Sequence, residues 1–221
     1  KLISKKEAVL RVLDSEFLGM GQEVALFQKE LEEFFGRKAI CVSSGTAALH
    51  LALHACGLKG NEEVLVPSVT YLATYQAISA TGATPVSVDV SKSDLLMDME
   101  DCEKKITKKT KVIMPVHYAS NPCNMNKLLE LKNKYNIRLI EDAAHAFGSY
   151  YDNKKIGSFG DVTCFSFDGI KNITSGEGGA VISDDLSILN KVQDASLLGV
   201  SNEANYRYKN ERKWDFDVLD Q

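Results

Sequence analysis

Six short apolar runs, each too short to be a helix, constrain the fold of this 221-residue chain more than any other feature. They lie at Glu63–Pro67, Thr84–Val90, Lys111–His117, Arg138–Ala143, Val162–Phe167 and Gly179–Ser183. Several are apolar at consecutive positions, the pattern of strands covered on both faces. The segments between them carry helical periodicity. Val24, Phe27, Leu31 and Phe34 recur at three- and four-residue steps between Gly21 and Gly36, which predicts an amphipathic helix. Ala47–Cys56 is apolar on most sides and predicts a buried helix. Lys127–Asn136 sets Leu128, Leu131 and Tyr135 on one face, with Lys132 and Lys134 on another. Strands alternating with helices predict an α/β sandwich with a largely parallel sheet. Tyr150–Ile156, with Asp152-Asn153 at its turn, predicts a hairpin.

Composition removes several function classes. Twenty-six Lys and Arg against thirty Asp and Glu leave a net charge of −4, which excludes an electrostatically driven nucleic-acid binder. The basic run Lys104–Lys111 then reads as a solvated lead-in to a strand. With 44% hydrophobic residues, 9 Phe and 8 Tyr, the chain has ample apolar area to offset its entropy, so disorder is excluded. No stretch approaches the roughly eighteen apolar residues of a membrane span. Lys1–Lys6 lacks the apolar run of a secretory signal. The five cysteines form no C-x-x-C pair and are odd in number, which argues against a disulfide framework. A cytoplasmic protein that needs no membrane is the expectation.

In open α/β sheets ligands bind beyond the carboxyl ends of the strands, so the polar residues that follow each run matter most. After Ala39–Val42 come Ser43-Ser44-Gly45-Thr46 and then the buried helix. A helix start of this kind offers free N–H groups and dipole charge to an anion, unless it is an ordinary serine cap. It is not a Walker A loop, because no Gly-Lys-Ser/Thr follows. After Arg138–Ile140 come Glu141-Asp142-Ala143-Ala144-His145. Acids at the end of an apolar strand are costly to bury unpartnered. They could ligate a metal with His145, meet a cationic group of a cofactor, or, through Asp142, cap a helix.

After Cys164–Phe167 a glycine-rich loop carries Lys171, flanked by Phe165, Phe167 and Ile170. That setting is expected to desolvate the amine and depress its pKa toward nucleophilicity. Val181 stands where the third glycine of G-x-G-x-x-G would be, which disfavours a dinucleotide-dependent oxidoreductase. His50 and His54 have zinc-like spacing but no third ligand, so helix-surface or interface histidines are expected and no metal site. Cys164, in mid-strand, reads as an apolar filler. An anion-binding helix start, a buried carboxylate and a desolvated lysine together suit pyridoxal phosphate (PLP). Its phosphate needs N–H donors, its ring nitrogen a carboxylate, and its aldehyde a lysine.

In that order the motifs Leu18–Gly21, Ser43–Leu49, Val66–Tyr71, Pro115–Tyr118, Glu141–His145, Gly160-Asp161, Phe165–Phe167 and Lys171–Gly179 resemble the DegT/DnrJ/EryC1/StrS family of PLP-dependent nucleotide-sugar aminotransferases. The resemblance implies the aspartate-aminotransferase type I fold, a three-layer α/β/α sandwich around a mostly parallel mixed sheet. It implies that residues 1–221 are the PLP-binding large domain, with 1–20 leading into it and a small C-terminal domain lying outside. By resemblance Lys171 binds the cofactor aldehyde and then shuttles a proton, while Asp142 pairs with the ring nitrogen. Gly45, Thr46 and Ser166 hold the phosphate, Tyr71 stacks on the ring, and His145 packs near it. The implied reaction moves an amino group from L-glutamate to a nucleotide-linked keto-sugar, foremost a dTDP- or UDP-4-keto-6-deoxyhexose for O-antigen or other surface polysaccharide. A homodimer with its active site at the subunit interface is implied as well.

Three alternatives go with the resemblance: 3-keto-sugar amination, a PLP-dependent sugar dehydratase, and a non-catalytic regulator on the same fold. Dehydratases of this fold carry His in place of the lysine, and a regulator is expected to lose Lys171 or Asp142; this chain keeps both. It departs from the family at Ser120, often Gly, and at Asn124, usually Asp. Both lie on the loop that opens the third helix, where little effect on chemistry is expected.

Overall fold

The computed structural model describes residues 5–16 and 18–196. In chain order the elements are α1 (Lys5–Asp14), α2 (Gln22–Phe35), β1 (Lys38–Val42), α3 (Gly45–Ala55), β2 (Glu63–Pro67), α4 (Leu72–Ala80), β3 (Thr84–Val88), α5 (Met99–Lys105) and β4 (Thr110–Ile113). A single 3-10 turn, Tyr118–Ser120, is followed by α6 (Met125–Tyr135), β5 (Arg138–Asp142), β6 (Tyr150–Tyr151), β7 (Lys154–Lys155), β8 (Val162–Ser166), β9 (Gly179–Ser183) and α7 (Leu186–Ser196). Seven strands form one sheet in the order β1-β9-β8-β5-β4-β2-β3. β9 runs antiparallel to both its neighbours and the remaining pairs are parallel, so the sheet is mixed but mostly parallel.

The consecutive apolar residues of the strands divide between two cores. Leu65, Ile113, Leu139 and Phe165 face one core with Leu31 of α2, Cys102 of α5 and Leu128 of α6. Their neighbours Val64, Val112, Ile140 and Cys164 face the other, with Leu53 of α3, Ile78 of α4 and Leu189 of α7. Period-two side chains on a sheet with two apolar faces give three layers. The three-layer α/β/α sandwich expected for the chain is therefore present, and no helix among the described residues is long and apolar enough to cross a membrane.

Most predicted elements occur, with shifted ends. The helix predicted between Gly21 and Gly36 is α2, and it stops where Gly36 turns left-handed at φ 68°. The hairpin is β6–β7, with Asp152 and Asn153 at φ 46° and 62°, the two left-handed positions of a I′ turn. The run Lys111–His117 yields only β4 as a strand. Pro115 has no N–H to donate, so pairing beyond it shrinks to a bridge between Val116 and Asp142. Four helices, α1, α4, α5 and α7, were not predicted. The buried face of α4 is built from small residues, Ala73, Thr74 and Ala77 beside Ile78, which leaves little periodic contrast to read. In α5 a single residue, Cys102, is buried.

Candidate active site

Strand parity separates the two acids at the end of β5. Glu141 shares the face of Leu139, and Asp142 that of Ile140. Glu141 is fully buried and accepts from Gly160 N and Thr163 Oγ1 on Oε1, at 2.7 and 2.8 Å. Its Oε2 lies 2.9 Å from His117 Nε2, and the amide of Cys123 donates to His117 Nδ1 at 3.1 Å. Burial lowers this imidazole's pKa, but the bonds to Cys123 and Glu141 outweigh burial and push it upward; a second proton would have to displace the Cys123 amide from Nδ1. The Cys123 amide needs the Nδ1 lone pair, which places the ring's one proton on Nε2, facing Glu141. Glu141 therefore anchors the 117–123 loop and takes no part in the cavity.

Asp142 opens the other way, into a cavity of about 600 Å³ at the carboxyl ends of β2, β5 and β8. Thr74 Oγ1 donates to its Oδ2 at 2.8 Å and the Ala144 amide to its Oδ1 at 3.1 Å. Thr70 Oγ1 lies 2.7 Å from Thr74 Oγ1. Since the Thr74 proton is committed to Asp142, Thr70 is the donor in that pair. Burial still dominates and pushes the Asp142 carboxyl above its ordinary value, against the two hydrogen bonds. Among the described residues no Lys or Arg forms an ion pair with it. The helix-cap alternative for Asp142 fails, because a turn rather than a helix follows it.

The amino end of α3 forms a second wall. Ser44 caps the helix by accepting from Ala47 N at 3.1 Å. The amides of Gly45 and Thr46 have no acceptor one turn earlier and are left to the cavity. The cap and anion-site alternatives thus hold together. Gly45 comes so close to β8 that an added Cβ would stand 2.7 Å from Ser166 Cβ. On the far side, a Cβ on Gly179 would stand 2.4 Å from Ser44 O. Only glycines let the helix start sit this low between β8 and β9.

Lys171 reaches the same cavity from the β8–β9 loop. The loop is fastened at its base by Phe167 N to Gly178 O, Ser175 N to Phe167 O and Lys171 N to Asp168 O, at 2.8 to 3.0 Å. The expected desolvation by apolar flanks is not what the structure shows. Ile170 is 87% exposed, and Phe165 and Phe167 point into the core on the opposite face of the sheet. Lys171 itself is half-buried and stands near His145. Burial, and then the Lys171 charge, hold the His145 imidazole below its ordinary value, against the pull of Asp142.

Tyr71, expected to stack on the cofactor ring, lines the cavity with its side chain 74% exposed. All seven residues singled out in the sequence (Gly45, Thr46, Tyr71, Asp142, His145, Ser166 and Lys171) line this one cavity. Thr70, Thr74 and Tyr118 line it too and were missed. The i, i+4 spacing of the two threonines was the available signal. His50 and His54 lie elsewhere on α3 with ring centroids 6.4 Å apart. The described residues hold no group of three or more side chains suited to a metal ion. Cys164 is buried and burial pushes its thiol well up, which leaves it inert at neutral pH.

The donor set fits PLP. Backbone amides and the Ser166 hydroxyl suit a phosphate, the buried Asp142 carboxylate suits a protonated ring nitrogen, and an amine is at hand for an aldehyde.

Comparison with known proteins agrees with the fold. GDP-perosamine synthase from Escherichia coli O157:H7 is 44% identical over 189 residues, 85% of this chain and 52% of that protein. The spore coat polysaccharide biosynthesis protein SpsC of Bacillus subtilis is 39% identical over 220 residues, 98% of this chain and 57% of that one. The PLP form of Spr1654 from Streptococcus pneumoniae superimposes with a TM-score of 0.84 at 31% identity, covering 99% of this chain and 59% of that chain. The chain thus spans little more than half the length of the relatives it matches. With its residues 3–216 matched by the family model, the chain belongs to the DegT/DnrJ/EryC1/StrS aminotransferase family.

Proposed function

We propose that the protein carrying this chain is a PLP-dependent aminotransferase that moves an amino group from L-glutamate to a keto group of a nucleotide-linked sugar. The observation that supports this most is the convergence of Asp142, Lys171 and the α3 amino end on one cavity. When bound, PLP supplies an electron sink for the carbanion left when an amino acid loses its α-proton. Gly45 and Thr46 amides, with Ser166 Oγ, bind the phosphate at the positive end of α3. Asp142, oriented by Thr74 and Ala144, holds the ring nitrogen protonated. The Tyr71 ring covers one face of the cofactor and His145 lies beside it. Lys171 Nζ would hold the cofactor's aldehyde and would carry the proton between substrate and cofactor.

The acceptor proposed is a dTDP- or UDP-linked 4-keto-6-deoxyhexose, used for surface polysaccharide. The GDP-perosamine synthases among the relatives favour a GDP-linked sugar as the second reading. The protein is proposed to work in the cytoplasm as a homodimer with the cavity at the subunit interface. Incubating the whole protein with L-glutamate and dTDP-, UDP- and GDP-linked keto-sugars, followed by mass spectrometry, tests the reading. One amino-sugar nucleotide formed in step with 2-oxoglutarate is expected. No amino sugar from any acceptor overturns it.

A further inference from the structure

Ser120 carries a side chain where the backbone favours none. Its φ is +68°, and Ala119 before it is also left-handed at +51°, a conformation that glycine adopts without penalty. The side chain nevertheless joins two walls of the cavity. Ser120 Oγ donates to the His145 carbonyl at 2.5 Å and accepts from Asn172 Nδ2 at 3.1 Å. The Ser120 carbonyl in turn accepts from Ser149 Oγ at 2.9 Å, which fixes the turn to the segment after His145. Asn172 directly follows Lys171, in a loop that is also fastened to its own base at Phe167 and Asp168. With Ile170 and Asn172 exposed, that stretch has little packing to hold it. The Ser120 hydroxyl thus ties the lysine loop to the opposite wall. Ser120, where the sequence leads one to expect little effect on chemistry, bonds to the backbone of His145 and to the residue that follows Lys171.

We propose that Ser120 is a positioning residue for Lys171: its hydroxyl hooks Asn172 to the His145 backbone and so sets where the lysine amine stands relative to Asp142 and His145. The proposal rests on the cofactor-site reading above, because the height of the amine matters when it has to meet an aldehyde. It also accounts for a serine at a left-handed position: a glycine there would relax the backbone and lose the hook.

His145 reports the hook without any cofactor. Lys171 and Asp142 are the charged groups that act on its imidazole, and the Tyr118 ring faces it at 6.1 Å between centroids. The experiment is an NMR titration of His145 in the whole protein freed of PLP, for wild type, Ser120→Gly, Asn172→Ala and the double variant. Releasing the loop draws the Lys171 charge away, so His145 is expected to titrate higher by roughly half a pH unit, a modest part of what a neighbouring charge can do. The double variant is expected to move it no further than the larger single one. Ser120→Gly is expected to melt no lower than wild type, since it sheds the left-handed strain. His145 titrating unchanged in both single variants overturns the proposal. A visible absorption band on adding PLP to wild type, together with an unmoved His145, overturns the hook alone. Absence of that band overturns the cofactor-site reading, and the His145 titration still decides the hook.

Discussion

Asp142 is a carboxylate kept in a cavity that raises its pKa through burial, with two hydrogen bonds too weak to reverse the effect. A folded chain that holds a proton its unfolded form has released loses stability as pH rises from the ordinary aspartate value through the raised one. Cofactor-free protein is therefore expected to melt progressively lower across that interval, from about pH 4 upward. Asp142→Asn is expected to flatten the decline, as thermal unfolding at several pH values will show. Bound PLP is expected to reverse it, because a protonated ring nitrogen keeps the carboxylate charged. Glu141, one residue earlier, serves the fold rather than the cavity. Three donors satisfy it, and Glu141→Gln sets an amide hydrogen against them, for an expected loss of about 3 kcal/mol in chemical denaturation. A loss under about 1 kcal/mol would contradict its anchoring role. The sequence marked the acid pair as costly, and parity alone could have separated the two. Neither Thr74 as the donor nor Lys171's true surroundings was legible, because both depend on which elements meet across the cavity.

Among the elements, α3 matters most to the site. Its amino end lies against β8 because Gly45 and Gly179 have no side chains to hold the backbones apart. Gly45→Ala is expected to push the helix start off Ser166, cost about 1–3 kcal/mol of stability and weaken phosphate binding more than it weakens folding. Thermal melting with and without PLP separates the two effects, and equal PLP affinity in the variant would contradict the assignment. The helix was readable because its apolar residues cover most of its surface. α4 was not, although it carries Thr74, because small residues fill its buried face and leave no stripe. The Lys171 loop was misread for a related reason. Phe165 and Phe167 are neighbours of the lysine in sequence, but strand pairing sends them to the far side of the sheet.

At the scale of the whole molecule, seven strands gather a helix start, a carboxylate, a tyrosine and a lysine loop from positions 45 to 171 around a single opening. The alternation of apolar runs and helices was enough to predict the layered sheet. It could not predict strand order, because the antiparallel β9 between β1 and β8 is a long-range pairing with no local signature. The central claim is that this opening is built around Lys171. Borohydride reduction of the whole protein loaded with PLP, followed by peptide mass spectrometry, tests it most directly. The account predicts one reduced pyridoxyl group, on the peptide that contains Lys171, with loss of a visible band near about 410–430 nm. A label on another lysine, or none with the band absent from the start, would contradict it.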